Sequence, residues 1–195
     1  MPKVDRAIRR NEVCEIAARL IGRAGLDAVT FRDIAQEAGC STRFISHYFA
    51  SKDELLREIF LQFSQRSLDR CEAALSGDGD LAAALEYVLP LDGERRMFWQ
   101  VWIAFWGRII GDPDLRETQV QRGRQMREAI ERLIVAKDGV PAGSPVLRFE
   151  AEQLLTVIVG IAMQGTFDAD AWAPERQRDH LRASIAMLRQ DRPLG

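Results

Sequence analysis

Apolar residues in this chain recur every three to four positions, the spacing of one face of a helix, and they do so in blocks separated by glycine, proline and short polar runs. Val13, Ile16, Ala17, Leu20 and Ile21 predict a helix over residues 9–24, closed by Gly25. A seven-residue helix is predicted over residues 31–37, with Thr30 as its cap, Asp33 in its first turn and Phe31, Ile34, Ala35 and Ala38 as its inner stripe. Gly39 stops it, and Ser41 or Thr42 caps a second short helix that buries Ile45 and Phe49 and turns Thr42, Arg43, Phe44 and His47 outward. Ser51 then opens a long helix whose apolar face is Leu55, Leu56, Ile59, Phe60, Phe63, Leu68 and Leu75. The remainder reads as helices over residues 81–89, 94–110, 115–137, 149–167 and 174–188, separated by Pro90 to Gly93, by Gly111 to Pro113 and by a loop over residues 138–145. The fold class is therefore all-α.

Two of these blocks differ from ordinary amphipathic helices. Residues 149–167 are apolar nearly all round, so that helix must be covered on more than one side, by its own domain and by a second copy of the chain. Residues 98–106 hold Trp99, Trp102 and Trp106 at spacings of three and four, with Phe98 and Phe105 alongside. Aromatics so spaced are usually core; a cluster this dense also suits the wall of a pocket for an organic cation.

The order Thr30, Ile34, Ala35, Ala38, Gly39, Ser41, Ile45, Tyr48, Phe49, Lys52, Leu55 and Leu56 resembles the DNA-binding head of TetR-family repressors. It departs from the family pattern at Cys40, where valine is usual, and at Phe44, where a small residue is common. The string Trp102 to Trp106, followed by Asp112-Pro113-Asp114-Leu115 and an arginine-rich helix, resembles the C-terminal domain of the choline-responsive BetI-type repressors, as does Ile45 to Phe49. The resemblance implies a helix-turn-helix domain over residues 1–50, a connecting helix over 51–75, and a helical ligand-binding and dimerisation domain over 76–195.

It also implies roles. Thr30, Ser41, Tyr48 and Lys52 are expected at phosphates of a double-stranded operator, and Thr42, Arg43, Phe44 and His47 at base edges. Residues 1–8 are expected to be a loose basic arm, with Lys3, Arg6, Arg9 and Arg10 near the neighbouring backbone. Trp99, Trp102, Phe105 and Trp106 are the candidate ligand contacts, with Glu86 and Glu94 available to offset a cationic charge. Leu154, Leu155, Ile158, Ile161, Leu181, Ile185 and Leu188 are the candidate dimer contacts, pairing the last two helices with their twins. The expected function is a homodimeric, DNA-binding repressor relieved by a small-molecule effector, a quaternary ammonium or other hydrophobic cation; the alternative is a ligand-independent regulator acting through protein contacts.

Composition adds little to this picture. The formal net charge is −2, and residues 1–50 carry eight Lys or Arg against six Asp or Glu, a small cationic excess at the reading end. Cys14, Cys40 and Cys71 are widely spaced and point to reduced thiols of a cytoplasmic protein, with no metal site. The longest apolar run, Leu154 to Met163, is too short to span a membrane. With two histidines and no nucleophile and base pair, phosphate loop or metal cluster, no catalytic residues and no cofactor are expected.

Overall fold

The structure, a computed structural model, describes residues 3–190 and 192, and side chains from residue 6 onward within that range. Among the described residues the chain forms nine helices: α1 (Lys3–Ala24), α2 (Phe31–Glu37), α3 (Thr42–Tyr48), α4 (Lys52–Leu75), α5 (Leu81–Glu86), α6 (Gly93–Gly111), α7 (Pro113–Asp138), α8 (Pro145–Phe167) and α9 (Pro174–Gln190).

Local chemistry sets most boundaries. At α2 the Thr30 hydroxyl accepts a hydrogen bond from the Asp33 amide, while the Asp33 carboxylate accepts from the Thr30 amide at 2.8 Å and from its hydroxyl at 2.6 Å. These bonds hold the Asp33 carboxyl below the usual carboxylate range. Ser41 and Ser51 cap α3 and α4 in the same way, accepting from the Phe44 and Glu54 amides. Gly39 has a φ of +62°, which lets the chain turn sharply between α2 and α3 without a Cβ in the way.

Three boundaries depart from the sequence pattern. The segment expected as a loose arm is helical from Lys3, because nothing in Lys3 to Ile8 breaks the helix and Val13 to Ile21 anchor the rest of α1 in the core. Lys3, expected near DNA, has its side chain outside the described residues. Helix α5 ends at Glu86 rather than Leu89: the Val88 and Leu89 amides close tighter turns onto the Leu85 and Glu86 carbonyls, Pro90 has no amide to continue the ladder, and Arg95 Nη1 and the Trp99 indole N–H donate to the Glu86 and Val88 carbonyls at 3.0 and 2.8 Å. Helix α8 starts four residues earlier than expected, with Pro145 in its first turn, where the missing amide is no loss.

Packing yields two hydrophobic cores. The first gathers α1, α2, α3 and the N-terminal half of α4 around Ile21, Ile34, Ile45, Phe49, Leu55, Ile59 and Phe60. The second gathers α5, α7, α8, α9 and the C-terminal half of α4 around Leu85, Ile130, Leu133, Ile134, Leu154 and Leu181. Helix α6 belongs to both. Phe98, Val101, Phe105 and Ile109 lie in the first core, Trp99 lies in the second, and Trp102 and Trp106 touch both. The head expected over residues 1–50 therefore has a core completed by residues from α4 and α6 and by Leu115 of α7.

The far end of the body is closed by charge. Asp138 and Glu150 side chains are buried, and Arg189 and Arg192 converge on them: Arg189 Nε donates to Asp138 at 2.9 Å, and Arg192 bridges Asp138 and Glu150 at 2.8 and 2.6 Å. Burial alone would raise the Asp138 pKa, but the hydrogen bonds from the two arginines outweigh it and hold the carboxyl below its ordinary value. A carboxylate depressed on folding stabilises the fold above its unfolded pKa of about 3.9. That stability is then lost as pH falls through the lower folded value. Asp138→Asn is thus expected to destabilise the body by about 1.5–3 kcal/mol at neutral pH and to flatten the acid side of the stability curve below about pH 4, as measured by urea unfolding across pH. Equal destabilisation at pH 3 and pH 7 would contradict this account.

Candidate DNA-reading surface and effector cavity

The surface of α3 follows from its two faces. Ile45 and Tyr48 pack inward with Phe49, while Ser41, Thr42, Arg43, Phe44, Ser46 and His47 are exposed. Arg43 makes no hydrogen bond or ion pair with another described residue, which leaves its planar guanidinium available to an external partner. The Ser41 hydroxyl accepts from the Phe44 amide and keeps its own proton to donate. Lys52 stands at the N-terminus of α4, where backbone amides add to its positive field, and one of its three donors reaches the Asp27 carbonyl at 3.4 Å.

Other residues sit differently from expectation. The Thr30 hydroxyl proton is taken up by Asp33, so the side chain closes the α2 cap instead of standing free for a phosphate. Tyr48 is 3% exposed, with the edges of Phe44 and His47 against it at 5.1 Å between centroids; it buttresses the reading face from behind. Arg10 points inward. It donates to the Tyr48 carbonyl and to Glu54 and Glu58, and its guanidinium lies 4.3 Å from the centroid of Phe49, tying α1 to the end of α3 and the start of α4. Arg9 pairs with Glu12 on its own helix, whereas Arg6 is exposed.

The body holds a cavity of about 150 Å³ between α4, α6, α7, α8 and the turn at Tyr87 and Val88. Phe63, Phe98, Trp99, Trp102 and Trp106 supply its aromatic wall, with Met126, Leu155 and Ile158 opposite. Three of the four predicted ligand residues therefore meet there. Phe105 does not: it is fully buried one turn away, 5.6 Å from the Phe60 ring, in the first core. Trp102 has Phe60 at 4.8 Å behind it, so one indole faces both the cavity and the head's core.

Neither acid expected to offset a cation lines this cavity. Glu86 pairs with Arg178 and Arg182 of α9, and Glu94 with Arg70. The charged groups in the wall are Arg70, Arg95 and Arg122, none of which the apolar periodicity could single out, since a residue's place in a pocket depends on which helices meet.

The residues expected at the dimer contact fall into two groups in the single chain. Leu154, Ile158, Ile161, Leu181 and Ile185 are buried within the single chain, because α6, α7 and α9 already cover the apolar sides of α8, and α8 and α5 cover that of α9. Leu155 and Leu188 are half-buried, and Leu155 with Ile158 faces the cavity. Apolar surface left bare on α8 and α9 is carried by Phe149, Phe167 and Met187, each more than half exposed.

Cys14 and Cys71 are buried and their thiols are pushed up to about 12 and about 11, chiefly by desolvation. No group of His, Cys, Asp and Glu able to hold a metal occurs among the described residues, and no described helix is long and apolar enough to cross a membrane.

Comparison with known proteins agrees with this geometry. Residues 14–59 match the bacterial regulatory proteins of the tetR family, and residues 78–190 match the C-terminal domain of BetI-type transcriptional repressors. The HTH-type transcriptional regulator BetI of Burkholderia thailandensis is 32% identical over 133 residues, 65% of this chain and 68% of that protein. Its counterpart from Burkholderia mallei is 34% identical over 134 residues, with the same shares of each chain. Among solved structures, a transcriptional regulator from Saccharomonospora viridis in complex with choline superposes with a TM-score of 0.81 at 27% identity, covering 92% of this chain and 96% of that one. A transcriptional regulator from Rhodococcus sp. Rha1 gives 0.77 at 26% identity, covering 93% and 96%. A capped, glycine-turned pair of helices at one end and a helical body matching the BetI type at the other place this chain in the TetR family of transcriptional regulators, with a BetI-type C-terminal domain.

Proposed function

We propose that this regulator is a repressor that binds its operator as a homodimer and lets go when a small molecule occupies the cavity behind α6. The observation that carries the reading is the double membership of α6. Trp99, Trp102 and Trp106 line the cavity, while Phe98, Val101, Phe105 and Ile109 on the same helix complete the core of the head. A ligand that shifts α6 must shift what is packed on it, including α1 and the start of α4. Ligand control requires only that the effector bind one arrangement of the heads more tightly, by roughly 1–3 kcal/mol.

On the DNA side, Arg43, Thr42, Phe44 and His47 enter the major groove, and Ser41 and Lys52 hold phosphates; Thr30 and Tyr48 fix the geometry from within. The bare faces of α8 and α9, through Phe149, Phe167 and Met187, meet their twins across a two-fold axis and set the two reading helices about 34 Å apart, one turn of duplex. The choline in the Saccharomonospora viridis regulator and the aromatic wall here favour an effector with an onium or similarly shaped apolar body.

The test starts from a duplex selected by the protein from random sequence. Arg43→Ala is expected to weaken binding to that site by about 1–3 kcal/mol while leaving binding to random DNA little changed. Lys52→Ala is expected to weaken both and to reduce the slope of log affinity against log salt by about one. Equal losses on both duplexes for the arginine change would remove Arg43 from the base-reading set.

A further inference from the structure

The charges around the cavity say more about its ligand than the aromatic wall does. Arg70 is neutralised by Glu94 at 3.1 Å and lies flat against Phe98, 4.5 Å from the ring centroid. Arg95 is neutralised by Asp92 at 2.7 Å and held by the Glu86 carbonyl. Arg122 is different. Its Nη1 donates to the side-chain oxygens of Gln65 and Gln125 at 3.1 and 2.9 Å, and no carboxylate among the described residues pairs with it. The side chain is half-buried in the wall. Near it in sequence, one turn back on α7, Gln119 also lines the cavity, and its side-chain oxygen is buried with no hydrogen-bond partner.

A half-buried cation held only by neutral amides, in a wall that contains no Asp or Glu, is a poor environment for a purely cationic ligand and a good one for an anionic group. Resting on the ligand-controlled reading above, we infer that the effector carries a carboxylate or equivalent anionic group, which Arg122 takes while the aromatic wall holds the rest of the molecule. The guanidinium fork matches a carboxylate in two parallel hydrogen bonds, and the Gln119 amide, rotated to present its N–H2, supplies a further donor. The aromatic faces accept either an onium or a neutral group of the same shape, so the effector is a small zwitterion or a small apolar acid.

Four compounds of near-identical shape separate the two ends of the ligand: choline, glycine betaine, 3,3-dimethylbutanol and 3,3-dimethylbutyrate. Binding is followed by tryptophan fluorescence of the full chain, and release from the selected operator is followed in parallel. The two carboxylates are expected to bind roughly ten-fold or more tighter than the two alcohols. Arg122→Gln is expected to remove that preference, weakening the two carboxylates far more than the two alcohols. Choline binding as tightly as glycine betaine, a carboxylate preference that survives Arg122→Gln, or silence of all four compounds would each overturn the inference. Operator release by choline without any carboxylate preference would keep ligand control and discard the anionic group. Carboxylate binding that leaves operator affinity untouched would do the reverse.

Discussion

Phe105→Ala is expected to lower the stability of the chain by about 3–5 kcal/mol, because a fully buried phenylalanine is removed from a close-packed site. At the roughly 1–3 kcal/mol per molar typical of urea, the midpoint should fall by at least about 1 M. The form of the transition matters as much as its position. Phe105 belongs to the core of the head, yet it stands on the helix that walls the cavity, one turn after Trp102 and directly before Trp106. If α6 couples the two cores, head and body lose stability together, and tryptophan fluorescence and helical circular dichroism should shift in parallel. A head that melts early while the tryptophans report an unchanged body would show that α6 does not link them, and would remove the structural basis of ligand control. Phe105→Leu keeps much of the volume and should cost about 1 kcal/mol with the same single transition.

Arg10→Ala is the second large effect, expected at about 2 kcal/mol and confined to the head. The change removes a donor from the Tyr48 carbonyl at the end of α3, takes away the cation that Glu54 and Glu58 share, and lifts a guanidinium off Phe49. Operator affinity should fall because α3 is held less firmly. Since Arg10 gives its donors to the protein, no phosphate contact is lost, and the salt dependence of binding should match the unaltered chain. Lys52→Ala reduces that dependence; a similar reduction for Arg10→Ala would return the arginine to the DNA contacts. Arg10→Lys should restore little, because an ammonium cannot span three acceptors and stack on a ring at once.

Arg10 and Phe105 also mark where reading along the chain stops being sufficient. Each looks ordinary in sequence: an arginine in a basic N-terminal segment, a phenylalanine in an aromatic run. Placing Arg10 inside required knowing that α1 crosses the end of α3, and placing Phe105 outside the cavity required knowing which face of α6 meets α1 and α4. Helical periodicity says that residues share a face; it does not say what lies across from that face. The same limit explains Leu154, Ile158, Ile161, Leu181 and Ile185. Their stripes were correctly apolar, but α6, α7 and α9 of the same chain cover α8, α5 and α8 cover α9, and the bare surface falls on Phe149, Phe167 and Met187.

By itself, the sequence determined the helical class, the caps at Thr30, Ser41 and Ser51, the turn at Gly39, the outward set on α3 and the family, because each rests on interactions within a few residues of the chain. Tertiary structure alone decided that α6 is shared by both cores, that the cavity has arginines and no acids in its wall, and that Tyr48 and Arg10 work from behind the reading surface. Those features come from contacts between residues dozens of positions apart, whose pairing is set by how amphipathic faces dock and not by any local pattern.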